Sequence, residues 1–144
     1  MKTAPVTLLE YFVSDLSFTA NREYVMDKPL EYRAGDFGAT PSVLRSPTAI
    51  KQRRWQVSLE IKHVPPAGCN FPYAYRVVLT GFFRAEPDVA PENEERMVRI
   101  QGASVLYGMG REIVRAMTGR GPHRPVLLPT VSFYDPPPAS TAQG

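Results

Sequence analysis

Along this chain the apolar positions repeat first every second residue and later every third or fourth. From Thr7 to Thr19 (TLLEYFVSDLSFT), Leu8, Phe12, Leu16 and Phe18 share one parity, which predicts a long first strand. The alternation breaks near Ser14 and Asp15, where a bulge or bend fits. From Arg54 to Val64 the pattern is cleaner. Trp55, Val57, Leu59 and Ile61 point one way, and Gln56, Ser58, Glu60 and Lys62 the other. One wet face is the mark of an antiparallel strand. Pro65-Pro66-Ala67-Gly68 supplies its turn, and Phe71 to Arg84 the partner strand. There Tyr73, Tyr75, Val77 and Leu79 share a parity that breaks at Gly81.

The period changes between Ser104 and Arg120 (SVLYGMGREIVRAMTGR). Leu106, Met109 or Gly110, Ile113 and Met117 recur at helical spacing, with Val105 and Val114 widening the apolar face. Arg111, Glu112, Arg115 and Thr118 fall opposite. Ser104 suits an N-cap, and Gly119 with Gly121 a C-terminal stop. Gly108 and Gly110 each cost about 1 kcal/mol of helix propensity, so another backbone is expected close by, in part from a second copy of the chain.

Upstream, Pro91 to Gly102 predicts a short helix. Pro91 suits its first turn, Glu92–Arg96 and Glu95–Arg99 are i,i+4 pairs, and Gly102 ends it. A strand from Arg96 to Ile100 is the alternative. Glu23 to Thr48, punctuated by Pro29, Gly35, Gly38, Pro41 and Pro47, reads as a long crossover with a short strand near Leu30–Tyr32. After the long helix, PVLLPTVSFY forms an extended apolar strip expected to pack back on the sheet. The expected units are a domain over residues 1–135 and a Pro-rich flexible tail over 136–144.

Composition narrows the chemistry. With 43% apolar and 22% charged residues the sequence is globular, and it holds no apolar run of membrane-spanning length. The single Cys69 excludes an internal disulfide framework and fits a reducing cytoplasm. The N-terminus meets acidic residues too early for a signal peptide. A net charge of +3 permits a nucleic-acid partner without requiring one. His63 and His123 lack ligand spacing to each other or to Cys69, so no metal is expected. Gly108-Met109-Gly110 lacks the preceding strand of a phosphate loop. Glu92, Glu94 and Glu95 fit a solvated helix start. No nucleophile with a base and no carboxylate pair emerges, so neither catalysis nor a cofactor is expected. Lys51, Arg53 and Arg54 beside Trp55 could bind phosphates and stack a base, or could be a charged strand entry with Trp55 turned inward.

The order of elements, taken with several short motifs, resembles the bacterial export chaperone SecB. The motifs are Asp15-Leu16-Ser17-Phe18, Pro29, Gly81, Arg111-Glu112-Ile113-Val114, Arg120-Gly121 and Leu128-Pro129-Thr130-Val131-Ser132-Phe133. They span about Leu8 to Tyr134. The resemblance implies an α+β fold: a four-stranded antiparallel sheet with a short and a long helix on one face, and a long crossover. It further implies a homo-oligomer, a dimer of dimers, that holds unfolded polypeptide clients in apolar grooves without nucleotide. The client-binding candidates are Leu30, Tyr32, Phe37 and Leu44 from the crossover, and Leu106, Tyr107, Ile113 and Met117 from the helix, with Phe133 and Tyr134 from the strip.

Departures qualify the export role. Asp15 stands where the family docks the SecA motor. Thr19 and Cys69-Asn70 occupy positions where acids are usual, and a pI near 9.2 is unlike the acidic family members. A SecB-like chaperone dedicated to one client, such as an antitoxin, is the alternative. A small single-stranded nucleic-acid-binding module is the rival from another class.

Overall fold

The computed structural model describes residues 4–45 and 53–134. Four strands, β1 (Val6–Ala20), β2 (Phe37–Arg45), β3 (Arg54–His63) and β4 (Tyr73–Ala85), precede one helix, α1 (Glu94–Thr118). The sheet order is β1-β4-β3-β2, with every neighbouring pair antiparallel. The fold is therefore α+β, as the alternation and helical spacing predict.

The hairpin forms as its pattern requires. Leu59 faces Leu79, and Trp55 faces Phe83. These inward residues are buried beneath α1, while Gln56, Ser58, Glu60 and Lys62 stay on the wetter face. In β1 the register slips between Leu8 and Glu10 and again between Val13 and Asp15. The second slip is the break foreseen at Ser14. There the Ser14 hydroxyl shares a 2.6 Å hydrogen bond with that of Thr80.

The fourth strand lies elsewhere than expected. Leu30–Tyr32 is irregular, and Phe37–Arg45 is the strand instead. Gly38 and Pro41 argue against a central strand, but β2 is at the sheet edge, where a missing amide is tolerated. Pro47, Lys51 and the 136–144 tail lie outside the described residues.

The short and long helices are one. Pro91–Asn93 makes a single 3-10 turn, and α1 then runs unbroken through Gly102 and Ser104. Gly102 is not a stop but a contact: a Cβ there would sit 3.0 Å from Val57 and 3.2 Å from Phe83. Ser104 is not an N-cap; its hydroxyl donates to the Ile100 carbonyl at 2.7 Å within the helix. A strand over Arg96–Ile100 is excluded.

The buried face of α1 comprises Val98, Ala103, Leu106, Tyr107, Gly110 and Val114, and it extends to Thr118. Thr118, placed on the polar side by spacing, is fully buried because its hydroxyl has partners: it donates to Val114 O at 2.7 Å and accepts the Val126 amide at 2.9 Å. Met117 and Val105 are exposed instead. Gly110 meets a side chain rather than a backbone. A Cβ at that position would lie 2.3 Å from Ile61 Cδ1, whereas Gly108 has nothing within 4 Å.

Candidate functional site

An apolar groove of about 350 Å³ opens where the crossover, the sheet and the C-terminal strip meet. Leu30 and Tyr32 form one wall, and Val126, Leu127 and Pro129 the other. Its floor is the end of the hairpin: His63, Phe71 and Tyr75.

Both irregular walls are tied down by hydrogen bonds. Asn70 holds the crossover through its amide, which donates to Val25 O and Pro29 O, each at 3.1 Å, while its side-chain oxygen accepts the Val25 amide at 3.0 Å. The Glu31 amide donates to Asn70 O at 3.0 Å. The strip is held at its start. The Tyr73 hydroxyl donates to Thr118 O at 3.3 Å and accepts the His123 amide at 3.0 Å. His123 Nε2 lies 2.8 Å from Asn21 O. Farther along, the Tyr107 hydroxyl donates to Pro129 O.

His63 is the unusual group on the floor. It is 1% exposed, and neither ring nitrogen has a hydrogen-bond partner among the described residues. Aromatic edges surround it: Phe71 at 4.2 Å, Tyr32 at 5.5 Å and Tyr75 at 5.9 Å between centroids. Burial lowers its pKa, opposed by the nearby Asp36 carboxylate. Burial likewise raises the phenols of Tyr75 and Tyr107, the latter to about 12 against the opposing charge of Arg111. The floor is therefore neutral at ordinary pH and rich in aromatic edges, suited to apolar side chains.

The structure brings together only some of the residues that spacing and resemblance nominate. Leu30 and Tyr32 line the groove. Phe37 packs edge-on to His63 at 6.3 Å, at the border of that floor. Tyr107 is buried against Phe133, with ring centroids 5.7 Å apart. Tyr134 is exposed and lies 5.1 Å beneath the Arg96 guanidinium. Ile113 is half-buried and Met117 exposed on the helix. Leu106, at 0% exposure, is enclosed in the core, and Leu44 is exposed at the far end of β2. His63, Phe71, Tyr75, Arg124, Leu127 and Pro129 were not nominated. For His63, Phe71 and Tyr75 the signal is the clustering of rings around the hairpin turn, for Leu127 and Pro129 it is the apolar strip, and Arg124 carries none.

Of the nucleic-acid constellation, Lys51 lies outside the described residues and Arg54 is exposed, while Arg53 and Trp55 are engaged within the fold. Trp55 is buried, and Arg53 is consumed by Glu94 Oε1 at 2.5 Å, Glu86 O at 2.9 Å and Val89 O at 2.5 Å. Glu94, expected in solvent, is itself buried between these partners. Asp15 pairs with Arg76, which also bonds Glu60 Oε2 at 2.9 Å. Among the described residues no three of His, Cys, Asp and Glu converge as a metal site, and no helix is long and apolar enough to cross a membrane.

No family model and no curated protein matches the sequence. Solved structures do match. The SecB-like chaperone of Mycobacterium tuberculosis, in complex with a ChAD peptide from the HigA1 antitoxin, superposes with a TM-score of 0.68. The match covers 90% of this chain and 92% of that one at 19% identity. This chain has a SecB-like fold. A Streptococcus agalactiae protein of unknown function superposes on this chain with a TM-score of 0.57 and 13% identity, over 87% of this chain and 97% of that one.

Proposed function

We propose that the protein is an ATP-independent holdase that binds non-native polypeptide in the groove between crossover and strip. The observation that carries this is the groove itself: a fixed apolar furrow with exposed Leu30, Tyr32 and Leu127 on its walls. Such a site binds by burial, at roughly 25 cal/mol per Å², and makes little demand on sequence. The role needs no catalytic residue and no cofactor, and its setting is the cytoplasm. Residues 1–135 would form the working domain, with 136–144 as a tail.

The protein acts as a homo-oligomer, a dimer of dimers. Tyr11, Val13 and Leu16 of β1 are 45%, 40% and 43% exposed, yet they pair in register with the buried Gly81, Leu79 and Val77. An apolar surface of this kind beside the helix suits a second copy.

A client-dedicated chaperone is favoured over an export carrier. Asp15, the acid in the family's motor-docking position, is already engaged by Arg76. The M. tuberculosis neighbour was solved with an antitoxin peptide, which supports an antitoxin as the class of client. The test is whether the chain suppresses aggregation of a chemically denatured protein without nucleotide. Suppression that persists in high salt fits the proposal; a strict monomer that leaves aggregation unchanged contradicts it.

A further inference from the structure

The charged side chain lining the groove is a cation, although the Asp36 carboxylate acts on His63 at the floor and Glu31 stands between the wall residues Leu30 and Tyr32. Arg124 is the only ionised residue among the described residues lining it, and no carboxylate is among them. Between Ala103 and Tyr134 the sequence has four arginines, Arg111, Arg115, Arg120 and Arg124, against the single carboxylate Glu112. Among the described residues no hydrogen bond or ion pair engages the side chains of these four. By contrast, Asp15, Glu31, Glu60, Glu86 and Glu94 are all paired.

Part of this excess has a local cause. Arg115 and Arg120 sit at the C-terminal end of α1, where cations complement the helix dipole. Arg124 has no such cause. It lies in the coil between Pro122 and Pro125, and its backbone is fixed from both sides: His123 by Tyr73 and Asn21, Val126 by Thr118. A rigid backbone thus presents an unpaired guanidinium at the lip of an apolar furrow. Arg111 follows Tyr107 by one helical turn on the same face, and its charge reaches the Tyr107 phenol.

We propose that the groove selects extended apolar segments flanked by carboxylates, with Arg124 as the residue that determines this preference. The inference builds on the groove's role as a client site and adds the client's chemistry. Apolar side chains fill the furrow, and an aspartate or glutamate on the same peptide meets the cation at its lip. Guanidinium pairs carboxylate in a planar, bidentate fashion, so arginine suits the role better than lysine.

Three fluorescent peptides with one Phe-Leu core and flanking Asp, Ser or Lys, titrated into the full chain at low salt, test the proposal. The Asp-flanked peptide should bind about two- to fivefold tighter than the Ser-flanked one, the range for a partly exposed ion pair, and the Lys-flanked one weakest. Added salt should shrink the spread. Arg124→Glu should reverse the order, and its side chain is exposed and unbonded, so the fold should survive. Equal affinities, or an order indifferent to Arg124→Glu, overturn the charge preference and leave the groove intact as a client site. Binding of none of the three removes both. Displacement of the Asp-flanked peptide by single-stranded oligothymidine would assign the cations to nucleic acid and overturn the proposal too.

Discussion

The indole N–H of Trp55 donates to Glu94 Oε2 at 2.6 Å, joining the start of β3 to the first turn of α1. Arg53 bonds the other carboxylate oxygen, and Arg45 adds its charge at 3.7 Å while lying 5.2 Å above the Trp55 ring. Burial alone would raise the Glu94 carboxyl. The hydrogen bonds from Arg53 and Trp55, with the charges of Arg53 and Arg45, outweigh it and hold the pKa below the ordinary value. Removing one partner of such a buried cluster strands the others, so Glu94→Ala should cost about 3 kcal/mol in urea unfolding. A loss below about 1 kcal/mol would show the cluster to be incidental.

The sign of the Glu94 effect fixes a pH window. A depressed folded pKa stabilises above the unfolded value and is lost as pH falls through the folded one. Stability from this cluster should therefore be complete at neutral pH and decline only below about 4.5, the ordinary carboxyl value. Glu94→Gln should flatten that acid limb.

His63 acts in a higher window. Its folded pKa is lowered, so the unfolded chain takes up a proton first, and stability falls as pH drops below the imidazole's ordinary 6.5. Protonation would place a cation among Tyr32, Phe71 and Tyr75, answered by the charge of Asp36. Melting temperature measured from pH 7.5 to 5 should fall for the native chain and fall less for His63→Phe. Parallel curves would count against a buried neutral imidazole.

Gly121 governs the strip. A Cβ there would sit 2.1 Å from the Tyr73 hydroxyl and 2.8 Å from its ring carbon Cζ, and the ring is buried with both hydroxyl bonds in use. Gly121→Ala should cost roughly 1–3 kcal/mol, the range for overpacking a filled site, and weaken peptide binding by loosening one groove wall. Thermal melts and peptide titration check the two effects separately.

Much of this architecture was legible in the sequence because one face of each regular element is dry. The alternation at Trp55–Ile61 and Tyr73–Leu79 gave the hairpin, and the broken parity at Ser14 gave the bulge. Where the sequence misled, a tertiary contact overrode a local signal. Gly102 reads as a helix stop, yet it lets α1 approach Val57 and Phe83; Thr118 reads as polar surface, yet it is satisfied inside by Val114 and Val126. Edge position explains why a Gly- and Pro-bearing segment became β2. The groove was half visible. Leu30 and Tyr32 stood out as apolar residues in a connection, and His63 and Tyr75 are partners across the hairpin, whereas Arg124 joins them only after the strip folds back, and no local pattern encodes that.

The client site is tested most directly by photo-crosslinking. A photoreactive residue replacing Leu127, 67% exposed on the groove wall, is compared with one replacing Lys62 on the opposite face of the sheet. With a denatured polypeptide present, crosslinks should form from position 127 and not from position 62. Equal yields from both positions, or none from 127, would contradict a groove that holds unfolded chains.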